Sequence, residues 1–109
     1  MAYNLDLEYR IDNLIIRLGD ISKRKMFGGV GYLINGNMCF GIYRDSLIVR
    51  TTPEKANELL SNEYVSPFDI TGRPMKGWVM ISLGLLETDD ELLDMVKLGI
   101  NFAEALPSK

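Results

Sequence analysis

Apolar residues recur at helical spacing from the start of the chain. Leu7, Ile11, Leu14, Ile15 and Leu18 fall on one face, while Asp6, Arg10, Asn13 and Arg17 fall on the other. This predicts an amphipathic helix, with Asp6 and Arg10 spaced for an i,i+4 ion pair and Gly19 as its stop. From about residue 24 to 51 the period changes to two. Val30, Tyr32 and Ile34 alternate, Asn35-Gly36 marks a tight hairpin turn, and Met38, Phe40 and Ile42 alternate on the return. A second turn at Arg44-Asp45 leads into Leu47 to Thr51, completing a three-strand meander.

Thr52-Pro53 is a helix start, since the threonine oxygen can cap free N–H groups and proline has none to lose. A short helix over about 53–62 would bury Ala56, Leu59 and Leu60. Pro67, Gly72, Pro74 and Gly77 then interrupt the pattern, before the apolar run Trp78 to Leu83 that suits a central strand. Thr88-Asp89-Asp90-Glu91 spells a capping box for a last helix, whose apolar stripe is Leu92, Met95, Val96, Ile100 and Ala103. The expected order is α-β-β-β-α-β-β-α, an α+β domain with helices packed on an antiparallel sheet.

At 109 residues the chain fits one domain, 1–109. Its 47% hydrophobic and 25% charged residues are those of an ordinary globular protein. Asp6 and Glu8 precede any apolar stretch, which does not suit a secretory leader, and no apolar run reaches the length of a membrane span. A lone cysteine, Cys39, suits a reducing compartment, so the expected location is cytoplasmic. The net charge of −3 is uneven: residues 1–20 carry −2, residues 21–78 carry +3 and residues 79–109 carry −4. A nucleic-acid binder usually shows a stronger basic footprint.

The absence of histidine excludes His-based metal sites, Ser-His-Asp triads and Cys-His pairs. Cys39, between Met38 and Phe40, then reads as a buried inert thiol, and Asp89, Asp90, Glu91 and Asp94 as helix-start acids. No cofactor or metal is expected. Two tracts remain. In Lys23-Arg24-Lys25-Met26-Phe27-Gly28-Gly29-Val30-Gly31, cations stand beside glycines, but neither phosphate-loop fingerprint is complete, and the glycines read as a bulge on the first strand. In Thr71-Gly72-Arg73-Pro74-Met75-Lys76-Gly77-Trp78, Arg and Trp form the pair favoured at binding hot spots.

Together the two tracts, with the Asn35-Gly36-Asn37-Met38 hairpin, Phe68-Asp69-Ile70 and the Asp-rich start of the last helix, resemble the N-terminal domain of the TfoX/Sxy competence regulators, and in particular its short stand-alone members. The Lys25-Met26-Phe27-Gly28-Gly29 and Gly72-Arg73-Pro74-Met75-Lys76-Gly77-Trp78 segments are specific as a pair. The resemblance implies a five-stranded antiparallel sheet in a secretion-chaperone-like arrangement, in a bacterial, cytoplasmic protein. Full-length members carry a second, C-terminal domain and activate DNA-uptake genes with the cyclic-AMP receptor protein. The resemblance here covers the N-terminal domain, and competence regulation is not carried over with it. The family offers no catalytic residues to transfer.

The expected function is therefore a non-enzymatic regulatory module that contacts a protein partner, with a homodimer as one arrangement. Its candidate surface is Lys25, Phe27, Gly28, Gly29, Arg73, Lys76 and Trp78, with the two tracts as neighbours. The alternative is a transcriptional regulator that binds nucleic acid directly through Lys23, Arg24, Lys25, Arg44, Arg50, Arg73 and Lys76; under the first reading, any duplex binding is expected to be weak.

Overall fold

The structure is a computed structural model and describes residues 3–26, 28–69 and 76–107. Helix α1 (Leu5–Ile15) is capped by Asn4, whose side chain accepts from the Leu7 N–H. Four strands follow: β1 (Ser22–Met26), β2 (Gly29–Ile34), β3 (Asn37–Tyr43) and β4 (Ser46–Arg50). Helix α2 (Pro53–Leu59) starts on the Thr52 cap, and β5 (Val65–Pro67) and β6 (Trp78–Ile81) complete a six-stranded antiparallel sheet in the order β1-β2-β3-β4-β6-β5. A short 3-10 turn, Leu83–Leu85, leads to α3 (Asp89–Glu104), where both halves of the Thr88–Glu91 capping box form.

The sheet has six strands where five were expected, and the meander has four strands rather than three. The added strand is β1. Its Ser-Lys-Arg-Lys-Met sequence carries no apolar alternation because it lies at the sheet's edge, with residues 22–25 all exposed. The glycines after it are accordingly not a bulge. Met26 pairs with Gly29, and Gly28 sits in the β1–β2 connection at φ +78°, a backbone that an L side chain rarely adopts. The bulge lies one strand further in. Tyr32 pairs with Phe40 but Leu33 pairs with Met38, so Cys39 has no residue opposite it. That extra residue turns both Cys39 and Phe40 into the core and sends Met38 to the other face.

One face of the sheet carries the main core. Leu7, Ile11 and Ile15 of α1 and Leu92, Val96, Ile100 and Ala103 of α3 pack on Val30, Tyr32, Ile34, Phe40, Ile42, Leu47, Val49, Val79 and Ile81. At roughly 1.5–3 kcal/mol for each fully buried apolar side chain, this cluster is the main stabilising term. Gly99 lets α3 lie directly on β3: a Cβ there would fall on the Cys39 carbonyl. The opposite face has its own smaller cluster. Ile48 is fully buried there by strand alternation, and Phe68 packs its ring against Tyr43 (6.2 Å) and Trp78 (5.9 Å). Met26 and Met38 lie over Gly31 and Gly41, which leave them room. The expected Asp6–Arg10 pair gives way to tertiary contacts. Arg10 donates instead to the Leu86 carbonyl (2.8 Å) and Asp89 (3.4 Å), tying α1 to the start of α3.

Candidate functional site

The residues singled out from the sequence fall at two corners of the sheet. Lys25 lies on β1, and Gly28 and Gly29 form and follow its turn; all three sit at the sheet end where β3 turns into β4. Gly77 and Trp78 begin β6 at the other end, beside Arg50 and Thr51. Between β1 and β6 stand three strands, a separation of roughly 19 Å at the usual strand spacing. The described parts of the two tracts are therefore diagonal to one another rather than neighbours. Phe27 and Arg73 lie outside the described residues.

At the β6 corner, Gly77 adopts φ +81° and its carbonyl accepts from the Thr51 N–H at 2.7 Å. The Arg50 guanidinium lies between two rings, 5.5 Å from the Trp78 centroid and 5.2 Å from that of Phe102 on α3. A small cavity of about 150 Å³ opens beside it, lined by Ala56, Leu60, Pro67, Lys76, Gly77 and Trp78. Lys76 is exposed at its rim. Among the described residues the corner is built for packing, and Arg50 is already engaged there.

The β1 corner contains a polar network that the sequence reading did not anticipate. Lys23 Nζ donates to Glu8 Oε2 and to Asp12 Oδ2, both at 2.8 Å. Tyr32, fully buried and stacked on Phe40, donates its hydroxyl to Asp12 Oδ1 at 2.8 Å, and Tyr3 donates to Glu8 Oε1 at 3.1 Å. The hydrogen bonds to Asp12 and Glu8 raise the Lys23 pKa, while burial and then the Asp12 bond push Tyr32 well up. Both groups keep their protons at neutral pH, so the network holds α1 to the sheet instead of exchanging protons. A tyrosine inside an apolar strand was the available signal, because a buried hydroxyl needs a partner. Its partner, Asp12, stands one turn from Glu8 on α1.

Cys39 is buried, its thiol donates to the Tyr32 carbonyl at 3.2 Å, and burial pushes its pKa up to about 12. Burial of this thiol was expected; it leaves almost no thiolate at neutral pH.

Outside these corners, α1 and its C-cap residue Ile16 present an apolar stripe directly away from the core. Leu5, Tyr9 and Ile16 are 63%, 69% and 77% exposed, left in water by the packing of the described residues. The sequence reading assigned the outward face of this helix to Asp6, Arg10, Asn13 and Arg17 and passed over these three. Among the described residues, no helix is long and apolar enough to cross a membrane.

A comparison with curated proteins finds no match. The model of the TfoX N-terminal domain matches residues 13–103, from within α1 to the last turn of α3, and the chain belongs to that family.

Proposed function

We propose that this chain is a non-enzymatic regulatory module that works by contacting other proteins. The observation that supports this reading best is the exposed stripe of Leu5 and Tyr9 on α1 and Ile16 at its C-cap. Large apolar side chains aligned on one helix face are costly to leave in water and are typical of a surface covered by a partner. A non-enzymatic role accords with a sequence that has no histidine and with a thiol that stays protonated.

Direct duplex binding is less well supported. Duplex affinity grows with the number of phosphates neutralised from one face. Here Lys23 is engaged by two carboxylates, Arg50 lies between two rings, Arg44 lies over Tyr43 in the β3–β4 turn, and Lys76 stands at the far corner from Lys25. The acidic first turn of α3 adds repulsion.

Two measurements test the reading. Fluorescence anisotropy with labelled duplexes at low and physiological salt should show binding weaker than about 1 μM. Proteins retained from native lysate should be lost when Leu5, Tyr9 and Ile16 are all changed to serine. Submicromolar duplex binding with a steep salt slope, or retention unchanged in the triple variant, would overturn it.

A further inference from the structure

We infer that the outer edge of β1 is a docking strand for an acidic, extended segment of a partner protein, which continues the sheet backbone to backbone. This inference rests on the reading that the chain works through protein contacts, and it specifies the chemistry of the partner.

The two edges of the sheet are not alike. β5 is only three residues long and ends in Pro67, which has no N–H to offer a further strand. β1 has five residues, no proline and no bulge, and among the described residues it pairs with β2 on one side only. Residues 22–26 make no backbone hydrogen bond beyond that ladder among the described residues. Alternate N–H and C=O groups along β1 therefore face outward, spaced as an incoming strand requires.

Charge selects the occupant. Lys23 is neutralised by Glu8 and Asp12, whereas Arg24 and Lys25 make no ion pair among the described residues. Lys25 pairs with Val30 and shares its helix-side face; Arg24 pairs with Gly31 and takes the other. The residues opposite them in an added strand are consecutive, so two adjacent acids would meet one cation on each face. A cavity of about 250 Å³ lined by Tyr3, Glu8, Lys23, Arg24, Lys25 and Val30 lies beside this edge, with room for a partner side chain.

Lysines on an edge strand ordinarily keep stray strands away. Here they discriminate. A second copy of β1 would set Lys23, Arg24 and Lys25 against the same residues, and like charges directly opposite are destabilising. A nucleic-acid duplex has no peptide backbone to extend the ladder, and the two cations of β1 without an ion pair among the described residues stand on opposite faces of the sheet, so they do not form one phosphate-binding face. An acidic extended peptide meets both requirements.

The test uses blocked peptides of about ten residues in which Thr and Val alternate around a central pair. The probe with central Glu-Glu should bind the intact protein and shift the backbone amide resonances of residues 22–26. The Lys-Lys peptide should bind about tenfold or more weakly, since two cross-strand attractions become repulsions. A Glu-Glu peptide with proline at alternate positions, which keeps the charge but cannot form the ladder, should lose most binding. The exposed double substitution Arg24→Glu and Lys25→Glu should reverse the preference. Absence of Glu-Glu binding, equal binding of the proline peptide, shifts confined to other strands, or tighter binding of duplex DNA would each overturn the inference. Failure here, with lysate partners still retained through the α1 stripe, would remove the β1 strand as the docking site and leave the protein-contact reading standing.

Discussion

The hydroxyl of Tyr32 donates to Asp12 at 2.8 Å from a side chain that is otherwise sealed inside the core. The bond joins the middle of β2 to α1, and the same carboxylate receives Lys23 from β1. Three elements that the chain order would let drift apart are thereby held at one point. Tyr32→Phe should cost about 1.5–3 kcal/mol, the usual worth of a hydrogen bond to a charged acceptor, read as a lowered denaturant midpoint.

The same bond sets an alkaline limit. Burial and then Asp12 raise the Tyr32 pKa above its unfolded value of 10.0, so the folded state holds the proton more tightly. That contribution is complete below about pH 10 and is lost as pH rises further, by at most about 1.4 kcal/mol per pH unit. Cys39, raised from 9.0 to about 12, adds a loss of the same sign from about pH 9. Thermal midpoints between pH 8 and 11 should fall for the wild type and fall less steeply for Tyr32→Phe. Equal slopes would show that Tyr32 does not carry the effect.

Cys39 should react slowly with a thiol reagent in the native protein and quickly in denaturant, because the reactive species is the thiolate and the sulfur is buried. Rapid native labelling would contradict both its burial and its raised pKa.

Gly99→Ala tests how closely α3 lies on the sheet. In an isolated helix the change is favourable by about 1 kcal/mol. Here the new methyl would fall on the Cys39 carbonyl, a backbone atom that cannot swing aside. Overpacking of this kind typically costs about 1–3 kcal/mol, so a net destabilisation is expected in urea unfolding. An unchanged or raised midpoint would mean that the helix stands further from β3.

The capping box offers a smaller and cleaner change. Thr88→Ala removes the acceptor of the Glu91 N–H while leaving the packed face of α3 intact, and should cost about 1 kcal/mol. Thr88→Ser should restore most of it.

Elements defined by local chemistry were legible in the sequence. The Thr88–Glu91 box, the Thr52-Pro53 start and the Asn35-Gly36 turn, with φ of 53° and 82°, stand where their residue types require them. β1 was not legible, because an edge strand exposed on both faces needs no apolar alternation and Ser-Lys-Arg-Lys-Met has none. The bulge at Cys39 was missed because it depends on how two strands pair rather than on either alone. The described parts of the two glycine-containing tracts lie apart, against expectation, for a related reason. β6 inserts between β4 and β5, a choice of partner that no short motif records, and it carries Trp78 away from β1. The polar network was half visible: Tyr32 was seen as a strand residue, but which acid would meet it follows only from how α1 docks.

Trp78 is the chain's only tryptophan, and its ring stands by Arg50 and Phe68 at the corner of the sheet diagonal to Lys25. The molecule thus carries one tryptophan reporter, and its field of view is local. Its emission should follow detachment of β6 from the Arg50 end of β4, and should stay dark to a ligand seated along β1. Circular dichroism follows the helices and sheet as a whole. A tryptophan transition that precedes the dichroic one would mark that corner as the first part of the sheet to open, with the β1 side still in place.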